Sequence, residues 1–231
     1  MKIRIDSLTE GAQRAQGTVV IIDVFRAFTT AAVAFSRGAK KIIMVAEVDE
    51  ALELRRRGVG DLCIGEVGGR RPEGFDMGNS PFELSTADVK GKTLIQSTRA
   101  GTVGVSLTEK ADRVYTCSFV VAQATAKALL RDRPDLVTIV AMGGEGKVRT
   151  DEDELCALYL RNLLQGRAPD HEAVRALVQA GADSQNFDNP ALPHYHPVDR
   201  QIALQIDSVP FAMRVHREGG LLVSMPDPGM T

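Results

Sequence analysis

Short, unbroken runs of aliphatic and β-branched residues recur along this 231-residue chain, and they constrain its fold more than any other feature. The first run, at 18–24, reads TVVIIDV and lacks the alternation of apolar and polar residues that a half-solvated strand would show. Continuous runs of this length predict strands that are buried on both faces. Further strands are predicted at 41–46, 61–65, 92–97, 113–117 and 136–143.

Helical patterns separate these runs, and their order predicts an α/β fold. Strands that alternate with helices indicate a largely parallel or mixed sheet covered on both faces. Because no linker interrupts the pattern, we predict a single compact domain over 1–231, with two tightly packed halves divided near 105–112 as the alternative. A closing hairpin is predicted within 213–225, around a Glu-Gly-Gly turn. The helices are predicted between Thr29 and a glycine stop at Gly38, and at 49–57, 101–110, 118–131, 151–165, 170–180 and about 199–206.

Composition argues against several classes of function. The net charge of -2 disfavours bulk nucleic-acid binding, and the scarcity of aromatic residues disfavours a stacking surface for bases. The three cysteines, Cys63, Cys117 and Cys156, form no CxxC pair, which predicts buried, reduced thiols. No run reaches the ~18 apolar residues of a membrane span, and the first residues show no signal peptide. We therefore expect a cytoplasmic protein without a membrane partner.

Polar residues follow four of the predicted strands at the point where each strand ends. Asp23 and Arg26 follow the first strand, and Glu66 follows the third. Two later strands lead into a Ser/Thr-rich loop at 97–102 and towards an acidic run at 151–154. Because ligands of open α/β sheets bind outside the carboxyl ends of the strands, these residues are candidates for one site.

The loop 97–102, STRAGT, has the composition of a phosphate-binding loop. It opens a predicted helix, so its backbone N–H groups and the helix dipole favour an anion, while its hydroxyls and Arg99 add further donors. An ordinary helix start is the alternative explanation. The P-loop lysine and the GxGxxG motif are both absent, which argues against a nucleotide site.

The segment 66–81, EVGGRRPEGFDMGNSP, contains a predicted helix start. Ser80 is followed by Pro81 and, three residues on, by Glu83, which together predict a capping box. This structural explanation does not account for Glu66 at a strand end or for the glycines that follow it.

Asp23 likewise has a structural and a functional explanation. An aspartate after an apolar strand often caps the next turn, but Arg26 adds a guanidinium that can hold two phosphate oxygens at once. Carboxylates are suitable Mg²⁺ ligands, and the acids available at the strand ends are Asp23, Glu66, Glu152 and Asp153. This combination favours magnesium-assisted phosphoryl chemistry on a small anionic substrate.

With these residues, the sequence resembles the 2-phosphosulfolactate phosphatase family. The resemblance implies a three-layer α/β/α fold and Mg²⁺-dependent hydrolysis of a phosphate monoester, nominally 2-phospho-3-sulfolactate to 3-sulfolactate on the route to coenzyme M. It rests on VVIIDVFRAFTTAAVAFSRGAKKI (19–42), GEVGGRRPEGFDMGNSP (65–81), QSTRAGT (96–102), TCSFVVAQATAKAL (116–129) and TDEDELCA (150–157), with a weaker match at 196–210.

The resemblance also places the family's recurrent site positions on this chain. The catalytic candidates are Asp23, Arg26 and Glu66, and the metal-binding candidates are Asp23, Glu66, Glu152 and Asp153. The phosphate-binding candidates are Asn79, Ser80, Thr98, Gly101 and Thr102, to which the loop composition adds Ser97 and Arg99.

Two positions depart from the family pattern. Many members have a Thr-Thr-Asn-Gly-Thr type of loop where this chain has STRAGT (97–102), so that Arg99 is added and the Asn is missing. A Thr or Ser is commoner at the position of Phe28. The added arginine could change which second anion is recognised.

Several alternatives are left open by the residues. The attacking group is either a metal-activated water, which we favour, or the Asp23 carboxylate itself. A different phosphate ester, or a non-catalytic role in binding a small phosphorylated or sulfonated anion, is an alternative function. A nucleotide-dependent oxidoreductase is disfavoured by the missing glycine motif, and a homodimer is left open.

Overall fold

The computed structural model describes residues 1–228 and is organised around one sheet. Within that range the nine strands are β1 (Lys2–Ser7), β2 (Gly17–Ile22), β3 (Lys41–Val45), β4 (Leu62–Gly65), β5 (Thr93–Ser97), β6 (Ala111–Cys117), β7 (Leu136–Ala141), β8 (Phe211–Glu218) and β9 (Leu221–Pro228). The helices are α1 (Leu8–Arg14), α2 (Ala27–Ser36), α3 (Val48–Arg56), α4 (Pro81–Thr86), α5 (Gly101–Ser106), α6 (Ala122–Asp132), α7 (Asp151–Leu164), α8 (His171–Ala180) and α9 (Pro197–Ala203). Short 3₁₀ turns occupy Phe119–Val121 and Asp183–Asp188.

The strand order is β1-β7-β2-β6-β8-β9-β3-β5-β4. The first four strands are parallel to one another, and so are the last three. The β8–β9 hairpin lies between these blocks and pairs antiparallel with both, so the two blocks run in opposite directions. The predicted α/β fold with a largely parallel or mixed sheet is confirmed, as is the closing hairpin.

Residues that follow β2 and β5 nevertheless meet, although these strands belong to opposed blocks. A Cβ added to Gly101 would lie 2.9 Å from Asp23 Oδ2 and 2.8 Å from Ala27 Cβ. Adjacent strands are rotated by about 20–25°, so the five pairs from β2 to β5 turn the strand direction by roughly 100–125°. A twist of this size allows the two carboxyl ends to face the same side, and glycine at position 101 permits the close approach.

The strand at the centre of the first block is covered on both faces. Successive residues of a strand point to opposite faces, and all four residues 19–22 of β2 are fully buried. The helices α2, α5, α6 and α7 pack against β2, β6 and β7.

All three cysteines are buried and free, as predicted. None of the helices described in residues 1–228 combines the length and apolarity needed to cross a bilayer.

Sequence patterns missed the first strand and misplaced some helix ends. The edge strand β1 pairs only with β7, and its more exposed residues alternate with less exposed ones, so it lacks a continuous apolar run. The helix predicted at 101–110 ends at Ser106, because Leu107 and Thr108 continue as a turn. The segment predicted as a helix from 118 begins instead with the 3₁₀ turn.

Candidate functional site

A cavity of about 290 Å³ lies where the carboxyl ends of both blocks converge. Six of the predicted site residues line it: Asp23, Arg26, Glu66, Asn79, Arg99 and Glu152. They come from the segments after β2, β4 and β5, from the start of α7 and from the loop before α4. The strand-end residues picked out in the sequence therefore share one cavity.

Asp23 is buried at the floor of this cavity. It is 5% exposed, and its carboxylate accepts hydrogen bonds from the backbone N–H groups of Ala27, at 2.9 Å, and of Gly101. Burial raises the pKa of Asp23 to about 7, and the nearby Glu66 carboxylate also raises it. Asp23 thus caps the turn into α2 and also presents a carboxyl group whose pKa is close to neutrality.

Glu66 accepts a hydrogen bond from one of the backbone amides, that of Arg99, which the loop composition had assigned to a phosphate. Its two carboxylate oxygens accept hydrogen bonds of 2.8 Å each, one from the backbone N–H of Arg99 and one from that of Gly69. The amides of Arg99 and Gly101 therefore point towards Glu66 and Asp23. The loop 97–102 positions two carboxylates in this structure.

The hydroxyl groups of the same loop are turned towards the protein. Thr98 and Thr102 bond to each other, since each backbone N–H donates to the other residue's Oγ1, at 2.8 and 3.0 Å. Ser97 Oγ donates to the carbonyl of Ala46. Four residues of this loop lie outside the lining of the cavity and pack against its wall: Ser97, Thr98, Gly101 and Thr102. Their role as substrate ligands stays a prediction.

Ser80 begins α4 as the predicted capping box requires. Its Oγ accepts from the backbone N–H of Glu83 at 3.2 Å, and Pro81 occupies the first turn. The return bond of the box is altered, because the Glu83 carboxylate accepts from the backbone N–H of Gly78. Ser80 Oγ also donates to Asp199 at 2.7 Å and does not line the cavity.

Arg26 is held by protein groups on three sides. Its Nη1 donates to Asp199 Oδ2 at 2.7 Å and to the carbonyl of His194 at 2.6 Å, while Nη2 donates to the carbonyl of Gly69 at 3.0 Å. The guanidinium carbon lies 4.7 Å from the centre of the Tyr195 ring, a cation–π contact. Arg26 is 3% exposed and Asp199 is fully buried, so this is a buried ion pair.

The two predicted acids of α7 occupy different environments. Both carboxylate oxygens of Asp153 accept backbone N–H groups, from Val24 at 2.7 Å and from Gly143 at 2.8 Å. Asp153 therefore joins the end of β2 to the loop after β7 and does not line the cavity. Glu152 does line it, and burial raises the pKa of Glu152 to about 7.

Part of the cavity wall comes from residues 183–195, where the sequence predicted neither a helix nor a strand. Asp183, Phe187 and Tyr195 line the cavity, and Phe187 makes edge-on contacts with both Phe25 and Tyr195. His194 and His196 in this segment are both partly buried. The sequence did not identify Asp183, Phe187, Tyr195 or Asp199 as functional residues. Of these, Asp199 alone lies in the segment 196–210, which matches the family weakly.

Residues 1–228 contain no group of three or more His, Cys, Asp or Glu side chains arranged as a complete metal site. Two of the cavity acids, Asp23 and Glu66, are instead tied individually to backbone amides. A metal bound here would have few direct protein ligands.

Comparisons with known proteins agree on one family. The model of the 2-phosphosulpholactate phosphatase family matches residues 4–190. A probable 2-phosphosulfolactate phosphatase of Prochlorococcus marinus is 37% identical over 158 residues, which cover 66% of this chain and 63% of the relative. Probable 2-phosphosulfolactate phosphatases of Caldicellulosiruptor saccharolyticus and of a Synechococcus species are 38% and 40% identical over 155 and 157 residues. The matched region spans slightly less than two thirds of each of these relatives.

Proposed function

Because the chain belongs to the 2-phosphosulpholactate phosphatase family, we propose that it hydrolyses the phosphate monoester of a small organic acid. The first candidate substrate is 2-phospho-3-sulfolactate, which would give 3-sulfolactate and phosphate. The observation that carries the proposal is the convergence of Asp23, Glu66, Glu152 and Arg26 on one cavity. A role in coenzyme M synthesis, a cytoplasmic location and a homodimer stay predictions from the sequence.

The donor set of the cavity is compatible with Mg²⁺. This ion binds through one or two carboxylates and keeps several water ligands, so it does not need a complete protein cage. Asp23, Glu66 and Glu152 would hold it, and Asn79 Oδ1 is a buried oxygen without a hydrogen-bond partner in the described residues. Asp153 is not included, because it does not line the cavity. When bound, Mg²⁺ would neutralise charge on the phosphate and lower the pKa of a bound water.

Protein side chains would bind the phosphate and accept the proton of the attacking water. Arg26 uses three of its five N–H donors on protein oxygens, which leaves donors on Nε and Nη2 for the phosphate. Glu152 or Asp23, each with a pKa near 7, would accept the proton of an attacking water at neutral pH. The water oxygen bonds to phosphorus as the bond between phosphorus and the ester oxygen breaks, and the ester oxygen takes a proton, from the protonated carboxyl group or from solvent, to become the hydroxyl group of the released acid. Direct attack by Asp23 is the alternative, and labelling of Asp23 by a trapped phosphoryl group would establish it.

The experiment is a phosphate-release screen over small phosphorylated acids, with and without MgCl₂. We expect Mg²⁺-dependent release that EDTA abolishes. The matched panel consists of 2-phospho-3-sulfolactate, the same ester without the sulfonate, and a neutral alkyl phosphate. Folded protein that releases phosphate from none of these esters, but binds one of them, would instead support the non-catalytic binding role.

The charges of the cavity favour a second candidate, an ester with fewer anionic groups. Besides Asp23, Glu66 and Glu152, the lining contains the acids Glu145 and Asp183. The two arginines that line it are both engaged, Arg26 by Asp199 and Arg99 by the carbonyl of Ala46 and by Glu47 at 3.6 Å. A substrate with a phosphate, a carboxylate and a sulfonate meets few free cations there. In the same screen, faster release from the ester without a sulfonate would favour this candidate.

We expect Mg²⁺ to stabilise the protein more at pH 8 than at pH 5. The folded-state pKa values of Asp23 and Glu152, about 7, lie above their ordinary values of 3.8 and 4.5. The folded state therefore binds more protons than the unfolded state between about pH 4 and 7, and stability falls as the pH rises through this range. A cation competes with these protons, so its effect on Tm grows over the same range.

Thermal unfolding with and without MgCl₂ at pH 5 and pH 8 measures this effect. His194 acts in the opposite sense, because burial lowers its pKa, so Asp23→Asn is measured in parallel. We expect that variant to lose less Tm between pH 5 and 8 than the wild type. An equal Mg²⁺ effect at both pH values would contradict the prediction.

A further inference from the structure

Asp199 is the most heavily bonded buried acid that the proposed reaction does not use. It is fully buried in the first turn of α9. One carboxylate oxygen receives Arg26 Nη1 at 2.7 Å, and the other receives Ser80 Oγ at 2.7 Å and the backbone N–H of Phe82 at 2.9 Å. It therefore ties α9 to the start of α2 and to the first turn of α4. It also lies beyond residues 4–190, which the family model matches.

A buried guanidinium needs a compensating charge, because an unpaired buried ion is strongly destabilising. The acids that line the cavity do not pair with Arg26 in this structure, and Asp199 is its salt-bridge partner. The remaining contacts of Arg26 are the carbonyls of His194 and Gly69 and the face of the Tyr195 ring. These are neutral groups, so Asp199 is the one charged group in residues 1–228 that is hydrogen-bonded to the guanidinium.

The two oxygens of Asp199 have separable roles. Oδ1 bonds to groups at the start of α4 and so supports the fold, whereas Oδ2 bonds to Arg26 and so acts on a residue of the cavity. An asparagine at this position can still accept the hydrogen bonds from Ser80 and Phe82. Its neutral amide cannot compensate the charge of Arg26.

We propose that Asp199 is a positioning residue, which holds the Arg26 guanidinium against the cavity so that its free N–H groups meet a phosphate. The proposal rests on the proposed function for the identity of the ligand. If Asp199 acts in this way, the affinity for phosphate depends partly on a residue of α9, which lies outside the loops that follow the strands. Asp199 itself does not line the cavity and acts only through Arg26.

The test measures the affinity for inorganic phosphate by calorimetry in MgCl₂, which requires no turnover. We expect Asp199→Asn to weaken phosphate binding at least tenfold, and to raise KM for any ester that is hydrolysed by a similar factor while kcat changes less than threefold. The matched control is Asp132→Asn, a largely buried acid bonded to Arg113 and Tyr115 away from the cavity. It should lower Tm without changing phosphate affinity.

A second comparison separates positioning from a merely structural role. In a background that already contains Arg26→Gln, adding Asp199→Asn should change the phosphate affinity less than twofold and should raise Tm, because no buried charge is then left unpaired. A further tenfold loss in that background, or unchanged affinity in the Asp199→Asn single variant, overturns the proposal. So does a wild-type protein that binds no phosphate. Wild-type protein that binds phosphate but hydrolyses no ester overturns only the proposed function.

Discussion

Replacing Asp23 by asparagine is expected to reduce Mg²⁺-dependent phosphate release about a thousandfold without unfolding the protein. The loss of a general base costs about 10²–10⁴ in rate. The fold tolerates the change, because the amide oxygen of an asparagine can still accept the backbone N–H of Ala27. Since burial raises the pKa of Asp23 to about 7, removing this charge should leave Tm at pH 8 unchanged or higher.

The matched control for this variant is Asp61→Asn. Asp61 also accepts a backbone N–H, from Thr93 at 2.7 Å, but it is exposed and lies at the opposite end of β4 from Glu66. Its activity should stay within twofold of the wild type. Steady-state kinetics and thermal unfolding at pH 8 measure both variants. An Asp23→Asn protein that keeps a tenth of the wild-type rate would remove Asp23 from the catalytic site.

Gly65→Ala is expected to lower the free energy of unfolding by about 3 kcal/mol or more. Gly65 ends β4 with φ of +150°, a conformation that L residues rarely adopt, and an added Cβ would lie 1.9 Å from the carbonyl oxygen of Ser97. Backbone strain and the displaced neighbour each cost about 1–3 kcal/mol. The same carbonyl accepts the backbone N–H of Glu66 at 3.0 Å, so the clash also moves a residue of the cavity.

Gly58→Ala distinguishes the steric clash from the cost of a positive φ. Gly58 has φ of +71°, but an added Cβ would find no atom within 4 Å. We expect a loss of only about 1 kcal/mol there. Denaturant unfolding of both variants gives the comparison. Equal losses would show that the contact between Gly65 and Ser97 is not tight in solution.

The strands and their order along the chain could be predicted because they depend on local patterns. The run at 18–24 became a strand with both faces buried, and Ser80, Pro81 and Glu83 produced the predicted helix start. Edge strand β1 was missed for the same reason, since a strand with one neighbour needs no continuous apolar run.

The site could be predicted only in part. Asp23, Glu66 and Glu152 were identified by their position after strands or at a helix start, and the fold brings them to one cavity. The donors of the STRAGT loop were identified equally well, yet the Arg99 amide bonds to Glu66. Sequence spacing shows that a donor is present, but it does not show which acceptor lies in front of it.

The sequence by itself determined the α/β class, the strand-end acids and the resemblance to the family, because each depends on residues close together in the chain. Tertiary structure alone decided that the two parallel blocks run in opposite directions and still converge on one cavity, because the β8–β9 hairpin that separates them is paired only in the folded sheet. It also decided that Arg26 pairs with Asp199, which is 173 residues away in sequence. A buried charge takes its partner from whatever the fold places within about 3 Å, and no local pattern encodes that choice.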